Sequence, residues 1–186
     1  MSTLPMPLLE DLVVANRILA GLGVVDGFGH ISVRHPDRPD RFFVSRSLAP
    51  EMVTVQDIME LDLAGNPVDG DTRRPYLERF IHGEIYAARP DVQSVVHSHA
   101  PSVVPFTASS VRLRPICHMG SFLSNSIPNF EIRERFGATD MLVRNREQGA
   151  ALAQSLGPDT VVLMRGHGFC AVGPTIPVAV FRAVYT

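Results

Sequence analysis

The residues best suited to chemistry in this sequence are two histidines with a two-residue spacing. His97 and His99 fall in the apolar segment 92–99, VQSVVHSH, whose composition predicts a β-strand. Because side chains alternate between the two faces of a strand, both imidazoles would lie on one face and could share one ion. Histidines in strands also face solvent or satisfy core hydrogen bonds, so this spacing alone is a weak signal.

His167 is the candidate for a third ligand. It lies between Gly166 and Gly168, just after the apolar run 160–164. Backbone without side chains lets a ligand or another chain approach closely. Three neutral imidazoles with one open position can hold Zn²⁺ or a similar divalent ion in a catalytic site. The sequence therefore predicts a metal site formed by His97, His99 and His167.

Glu78 could add a carboxylate to this site. It falls in the first turn of a predicted helix that leads directly into the strand of His97, so packing of helix on strand could return it to the ligands. The alternative is structural, because the helix dipole favours an acidic residue in a first turn, and His82 lies four residues further along the same helix face. The sequence leaves both interpretations open.

A mixture of strands and helices must position these residues. Helices are predicted at 8–19, 75–89 (opening on Pro75), 102–108, 145–156 and from Pro177 onward, and strands at 30–34, 41–45, 58–63, 92–99, 113–117, 160–164 and 169–172. This pattern predicts an α/β or α+β layered sandwich, with His35 exposed in a Pro/Asp-rich loop. We expect a single domain over 1–186. Because the last predicted helix has no stop signal, this domain could lack its natural C-terminal end.

Composition and charge narrow the class of protein. The 186 residues carry a formal net charge of −2, all 17 basic residues are arginine, and they form no basic block, which argues against nucleic-acid and anionic-membrane partners. There is no basic leader and no apolar run of about 18 residues, so neither secretion nor a membrane span is expected. Cys117 and Cys170 are too few for a disulfide framework. We expect a cytoplasmic protein with a small-molecule ligand.

The motifs together resemble the class II aldolase/adducin family. They appear in family order as Gly29-His30-Ile31-Ser32, Glu78 on a helix, Val95-Val96-His97-Ser98-His99 and His167-Gly168. The resemblance spans nearly the whole chain and implies a three-layer α/β/α sandwich around a nine-stranded, mainly antiparallel sheet. It also implies a divalent metal on the three histidines, Glu78 as acid/base or resting ligand, and a homotetramer with active sites at subunit interfaces.

The sequence departs from the sugar-phosphate aldolases of this family. Those enzymes have Asn where this chain has His30, and they hold phosphate with a Thr-Gly turn and a Ser-Ser pair, where this chain has Ser45-Arg46-Ser47 and Tyr76-Leu77. Met119 stands where their proton-donating tyrosine would fall. The sequence instead resembles the decarboxylase branch, whose members remove a carboxylate from hydroxy-substituted aromatic or ring-cleaved acids.

The resemblance implies a metal-dependent decarboxylase acting through an enolate, with Zn²⁺ or Mn²⁺ as the metal and Fe²⁺ or Co²⁺ also compatible. Glu78, His30 and His118 are the candidates to return a proton to carbon, with Glu78 ranked first. Arg46, flanked by Ser45 and Ser47, is predicted to bind a second substrate carboxylate, although an exposed loop charge fits equally well.

Two other functions remain open at this point. One is an aldolase acting on an unphosphorylated hydroxy-keto acid. The other is a non-catalytic, adducin-like interaction module, which is less favoured because such a module does not need three aligned imidazoles.

Overall fold

The computed structural model describes residues 5–186. Six helices are found in this range: α1 (Met6–Gly21), α2 (Arg79–Ala88), α3 (Val104–Ala108), α4 (Arg133–Phe136), α5 (Arg146–Leu156) and α6 (Ile176–Val184). Seven strands accompany them: β1 (His30–Arg34), β2 (Arg41–Ser45), β3 (Ile58–Asp62), β4 (Ser94–Ser98), β5 (Asn129–Phe130), β6 (Val161–Met164) and β7 (Gly168–Gly173). Short 3-10 helices cover Pro50–Met52, Val55–Asp57 and His118–Gly120.

The described strands form one sheet in the order β3-β2-β1-β4-β7-β6-β5. All neighbours are antiparallel except β5 and β6, which are parallel, so the predicted mainly antiparallel sheet is confirmed. The family resemblance implied nine strands, whereas the sheet formed by residues 5–186 has seven.

Helices cover both faces of this sheet and create two cores. Along β4, Val96 packs into the core under α1 and α6, whereas Val95 packs into the core under α2 and α5. This alternation follows from the two-residue period of a strand whose two faces are both buried. The predicted three-layer α/β/α sandwich is therefore confirmed.

Two predicted elements differ from the structure. The helix expected from Pro75 begins only at Arg79, because Pro75 forms an isolated bridge with Arg46 instead of entering the helix. The strand expected at 113–117 is absent, and this largely exposed segment has no ladder partner among the described residues. A strand without a neighbour leaves its backbone groups unpaired, so the apolar pattern of 113–117 alone did not suffice to make this segment a strand.

His35 was expected in solvent but is buried, with 3% of its surface exposed. Its Nδ1 accepts hydrogen bonds from the backbone amides of Asp37 and Arg38, both at 3.1 Å, and its ring stacks on Phe43 at 5.0 Å. The loop encloses the imidazole because the ring accepts the hydrogen bonds of two backbone amides in the turn.

In residues 5–186, no helix combines the length and the apolar character that crossing a bilayer requires.

Candidate metal and active site

The four candidate ligands meet at one end of the sheet because β4 and β7 are antiparallel neighbours. His97 lies near the end of β4, opposite Cys170, and His99 follows one residue after the strand. The start of β7 lies beside that end, so the turn between β6 and β7 brings His167 next to both. Glu78 reaches the same point from the N-cap position of α2.

Two glycines fix the position of His167. A Cβ added at Gly168 would lie 2.0 Å from the Ser98 backbone oxygen, so only glycine lets β7 lie this close to β4. Gly166 has a φ of +66°, in the left-handed region that favours glycine. These residues therefore set the path of the chain around the imidazole, whereas the sequence suggested room for a ligand.

One atom from each of the four side chains points to a common centre. Nε2 of His99 lies 3.0 Å from Nε2 of His97 and 3.1 Å from Nε2 of His167. Oε2 of Glu78 lies 3.5 and 3.4 Å from the Nε2 atoms of His97 and His167. All four ligand atoms lie within 4.8 Å of one another. Metal–nitrogen bonds of about 2.0–2.1 Å place tetrahedral ligands roughly 3.3 Å apart, so this spacing fits one small divalent ion.

The outer nitrogen of each imidazole is held by an acceptor. His97 and His167 donate from Nδ1 to backbone carbonyl oxygens at 3.2 and 3.0 Å, and His99 donates from Nδ1 to the Asp26 carboxylate at 3.1 Å. Because these oxygens only accept, each Nδ1 carries the proton and each Nε2 presents a lone pair to the centre. Three lone pairs and a carboxylate facing one another repel, and a bound cation removes that repulsion. The donor set therefore fits a divalent metal ion.

Burial adjusts the protonation of this cluster. It lowers the pKa of His97 to about 4, although Glu78 opposes the shift. Burial alone would raise the pKa of Glu78, but the neighbouring imidazoles of His167 and His97 outweigh it and hold that pKa well below its usual range. The second oxygen of Glu78, Oε1, accepts from the Val143 amide at 2.8 Å. A neutral His97 and an ionised Glu78 are the forms that bind metals.

A cavity of about 520 Å³ opens in front of the cluster. Apolar and aromatic side chains form much of its wall: Phe28, Tyr76, Leu77, Met141 and Leu142. A cavity of this size with mostly apolar walls and a few convergent polar groups is typical of small-molecule sites.

Of the predicted site residues outside the candidate metal cluster, some line the cavity and others do not. His30 and Ser47 lie in the cavity wall. Arg46 does not, because its Nε pairs with Asp57 Oδ1 at 2.7 Å.

The other two predicted residues also lie outside the cavity wall. Ser45 is fully buried and donates to the Tyr76 hydroxyl at 3.4 Å. His118 is exposed in a 3-10 helix and is not a residue of the cavity wall. The structure therefore does not bring Arg46, Ser45 or His118 into the cavity of this chain.

The pair suggested between Glu78 and His82 is not formed. Glu78 has φ −91° and ψ 21°, so it precedes the helix rather than belonging to its first turn. His82 is fully buried, and its two ring nitrogens contact His30 and Ser32.

Three residues at the site were missed from the sequence. Arg74 lines the cavity, and no acidic group lies within 4 Å of its guanidinium in residues 5–186. Asp26 orients His99, and Met141, at φ +66°, presents its carbonyl to His167. The turn-like Asp26-Gly27-Phe28-Gly29 segment before a strand was a usable signal for Asp26, whereas Arg74 and Met141 lie in loops without one.

Comparison with known proteins assigns a family to most of this chain. The family model described as Class II Aldolase and Adducin N-terminal domain matches residues 10–186. Among solved structures, an aldolase II superfamily protein from Pseudomonas syringae superposes with a TM-score of 0.80 at 24% identity, covering 98% of this chain and 71% of that protein. At that identity the likeness concerns the fold alone.

Two curated relatives carry names that describe a reaction. The decarboxylase tropJ of Talaromyces stipitatus is 47% identical over 176 residues, which are 88% of this chain and 66% of that protein. A 3,4-dihydroxyphthalate decarboxylase of Arthrobacter keyseri is 32% identical over 188 residues, covering 94% of this chain and 73% of its own length. The chain thus spans about two thirds of the length of these relatives.

Proposed function

Because the chain belongs to the class II aldolase and adducin family, we propose that it is a metal-dependent carbon–carbon lyase. Its substrate is a hydroxy-substituted aromatic, or ring-cleaved hydroxymuconate-type, carboxylic acid, from which it removes one carboxylate as carbon dioxide. The observation that carries this proposal is the convergence of three Nε2 lone pairs and Glu78 Oε2 at the end of a mostly apolar cavity.

His97, His99 and His167 would hold the metal, with Glu78 as a fourth ligand before substrate binds. Zn²⁺ and Mn²⁺ suit this nitrogen and oxygen donor set best, and Fe²⁺ and Co²⁺ are also compatible. When bound, a divalent ion supplies Lewis acidity that stabilises negative charge on the substrate oxygen as carbon dioxide leaves.

Glu78 is the residue we assign to proton movement. Its ionised Oε2 can take the proton of the substrate hydroxyl. Oε2 then delivers this proton to the ring carbon that bears the carboxylate, so that this carbon becomes tetrahedral and the substrate oxygen becomes a ketone. The bond between this carbon and the carboxylate breaks, carbon dioxide leaves, the electron pair moves through the ring to the oxygen, and that oxygen takes a proton from solvent. The anchoring of Oε1 by Val143 keeps Oε2 directed at the centre.

The cavity walls suit a flat, partly apolar acid. Phe28, Tyr76 and Leu77 offer surfaces for a ring, and Arg74 offers an uncompensated guanidinium for a second carboxylate. We therefore place the second-carboxylate role at Arg74 in place of Arg46. The small donors that hold phosphate in sugar-phosphate aldolases are replaced here by Tyr76 and Leu77, which supports an unphosphorylated substrate.

The names of the relatives support decarboxylation over aldol cleavage. Assembly into a homotetramer and a cytoplasmic location, both expected from the sequence, form part of the same proposal.

The reaction is tested by measuring both possible products. Purified protein loaded with Zn²⁺ or Mn²⁺ is incubated with hydroxylated aromatic acids bearing one or two carboxylates and, separately, with an unphosphorylated hydroxy-keto acid. We expect carbon dioxide and the aromatic product that has lost one carboxylate, and no cleavage of the hydroxy-keto acid. Release of an aldehyde would favour the aldolase, and release of neither product by fully metallated protein would favour the interaction module.

The metal assignment is tested with His97→Ala. Elemental analysis should show loss of bound metal, and decarboxylation should fall by more than about 100-fold, beyond the 10–100-fold typical of outer hydrogen-bond partners of a metal ligand. His118→Ala is the matched control and should keep its metal. A His97→Ala protein with full metal content and full turnover would contradict the site.

A further inference from the structure

A line of four buried polar side chains runs from the core to the cavity. The Tyr86 hydroxyl lies 2.7 Å from Ser32 Oγ, Ser32 Oγ lies 2.6 Å from His82 Nδ1, and His82 Nε2 lies 2.6 Å from His30 Nδ1. All four residues have 2% or less of their surface exposed. The decarboxylation proposed above assigns no role to Tyr86, Ser32 or His82.

The hydrogen bonds of this line can run in one of two directions. If Tyr86 donates to Ser32, then Ser32 donates to His82 Nδ1, and His82 donates from Nε2 to His30 Nδ1. His30 must then carry its own proton on Nε2. That nitrogen has no hydrogen-bond partner in residues 5–186, and His30 lines the cavity, so the N–H is available to a bound substrate.

The opposite direction leaves a buried proton without an acceptor. His30 would donate to His82, His82 to Ser32, and Ser32 to Tyr86, so that the Tyr86 proton would need a further partner. Within the part of the chain that the structure describes, Ser32 Oγ is the only hydrogen-bond partner of the Tyr86 hydroxyl, so no further acceptor is available. Because an unpaired buried donor is costly, the first direction is favoured.

We propose that Tyr86, Ser32 and His82 are positioning residues that hold His30 in the Nε2–H tautomer, so that a neutral imidazole donates a hydrogen bond to the substrate oxygen on which charge develops. This role rests on the proposed function, whereas the tautomer does not. The substrate oxygen then meets an N–H donor from β1, on the side of the cavity where His30 neighbours His97, whose ring centroid is 5.2 Å away. Donors fixed before the reaction stabilise developing charge without reorganising.

The hydrogen bonds of this line fix the orientation and tautomer of His30, and they do not carry protons to the substrate. Passing a proton along it to the substrate would leave a tyrosinate at Tyr86, and burial raises the pKa of Tyr86 well above its usual value. His30 is therefore assigned as a hydrogen-bond donor, and the proton that reaches carbon is left to Glu78.

The tautomer is measured by ¹⁵N NMR on zinc-loaded protein with labelled histidine, without substrate. Signals are assigned by their loss in His30→Gln and His82→Gln. We expect both His30 and His82 to be protonated at Nε2 and unprotonated at Nδ1. A proton on His30 Nδ1 in the unmodified protein would overturn the proposal. Because this readout needs no turnover, it stands even if the protein releases no carbon dioxide, in which case only the proposed function fails.

Ser32→Ala tests whether the line sets the tautomer. We expect His30 to become a mixture of tautomers, kcat to fall about ten-fold, and KM and zinc content to stay within about two-fold, because the donor acts mainly on developing charge. Ser32→Thr restores the hydroxyl and should recover the tautomer and kcat. Tyr86→Phe is a second test with the same direction of change should Ser32→Ala fail to fold. An unchanged tautomer overturns the role of the line, and an altered tautomer with unchanged kcat overturns the role of His30.

Discussion

Arg46 and Arg74 flank one backbone bridge but face different surroundings. The Ser47 amide donates to the Arg74 carbonyl at 2.9 Å, and Arg46 bridges to Pro75, so the two segments run side by side. The Arg46 guanidinium is paired with Asp57, whereas Arg74 is a residue of the cavity wall whose guanidinium has no acidic group within 4 Å in residues 5–186. Although the two arginines lie on neighbouring segments, Arg46 has a structural role and Arg74 can bind an anion.

Arg74→Gln should weaken binding of substrates with two carboxylates. We expect KM for such acids to rise by about ten-fold or more, as a charge-assisted hydrogen bond is lost, and KM for acids with one carboxylate to change little. Arg46→Gln is the matched control and should leave both values within about two-fold. Steady-state kinetics on the two substrate types measures this, and equal effects of the two variants would remove Arg74 from substrate binding.

The residues that could be predicted from sequence are those whose position follows from a local rule. His97 lies in β4 and His99 directly follows that strand, so the alternation of side chains along extended backbone predicts that both lie on one side, and His167 was identified by its flanking glycines. Arg74 and His35 could not be predicted, because a loop side chain is placed by distant contacts such as that between His35 and Phe43. The sequence therefore predicted the side chains of the candidate metal cluster but not Arg74, which we propose to bind substrate.

At the level of elements, the hairpin of β6 and β7 affects both the stability of the fold and the position of His167. Gly168→Ala would force a Cβ onto the Ser98 carbonyl, so β7 must move and His167 must move with it. We expect the free energy of unfolding to fall by about 1–3 kcal/mol and the affinity for Zn²⁺ to weaken. Urea denaturation and zinc titration measure the two effects.

Gly21→Ala is the control for this substitution. Gly21 is the last residue of α1, and a Cβ there would have nothing within 4 Å. We expect an unchanged free energy of unfolding, or a gain of about 0.5–1 kcal/mol from the better helix former. Equal stability of both variants and the unmodified protein would show that the close approach of β7 and β4 is not required.

Elements with strong periodicity were predictable and those defined by partners were not. The helix predicted at 145–156 is α5, where the Asn145 side chain accepts from the Gln148 amide as an N-cap. The start of α2 was misplaced because Pro75 is taken up by a bridge to another segment. The segment at 113–117 has strand-like residues but no neighbouring strand, so only tertiary structure could decide its conformation.

For the whole molecule, buried histidines couple folding to pH. Burial lowers the pKa of His82 to about 3 and that of His97 to about 4, whereas an unfolded histidine titrates near about 6.5. Between these values the unfolded chain binds more protons than the folded chain. The stabilisation is therefore complete above about pH 6.5 and is lost as pH falls towards about 4 and below.

We expect metal-free protein to show a lower urea midpoint at about pH 5 than at about pH 7.5. Chelator is present at both pH values, so that loss of bound metal in acid does not contribute. Circular dichroism reports the transitions. Equal midpoints at the two pH values would mean that these histidines are not neutral in the folded protein.

The carboxylate of Asp26 serves two parts of the molecule at once. Its Oδ1 accepts from the Phe28 and Gly29 amides at 2.9 and 2.8 Å and also contacts His99 Nδ1 at 3.1 Å. The loop that carries Phe28, a residue of the cavity wall, is thus tied to the same oxygen that orients a ligand. We therefore expect metal binding at His99 to order the loop of Phe28 and, because coupling between two sites is reciprocal, a molecule bound against Phe28 to raise the affinity for the metal.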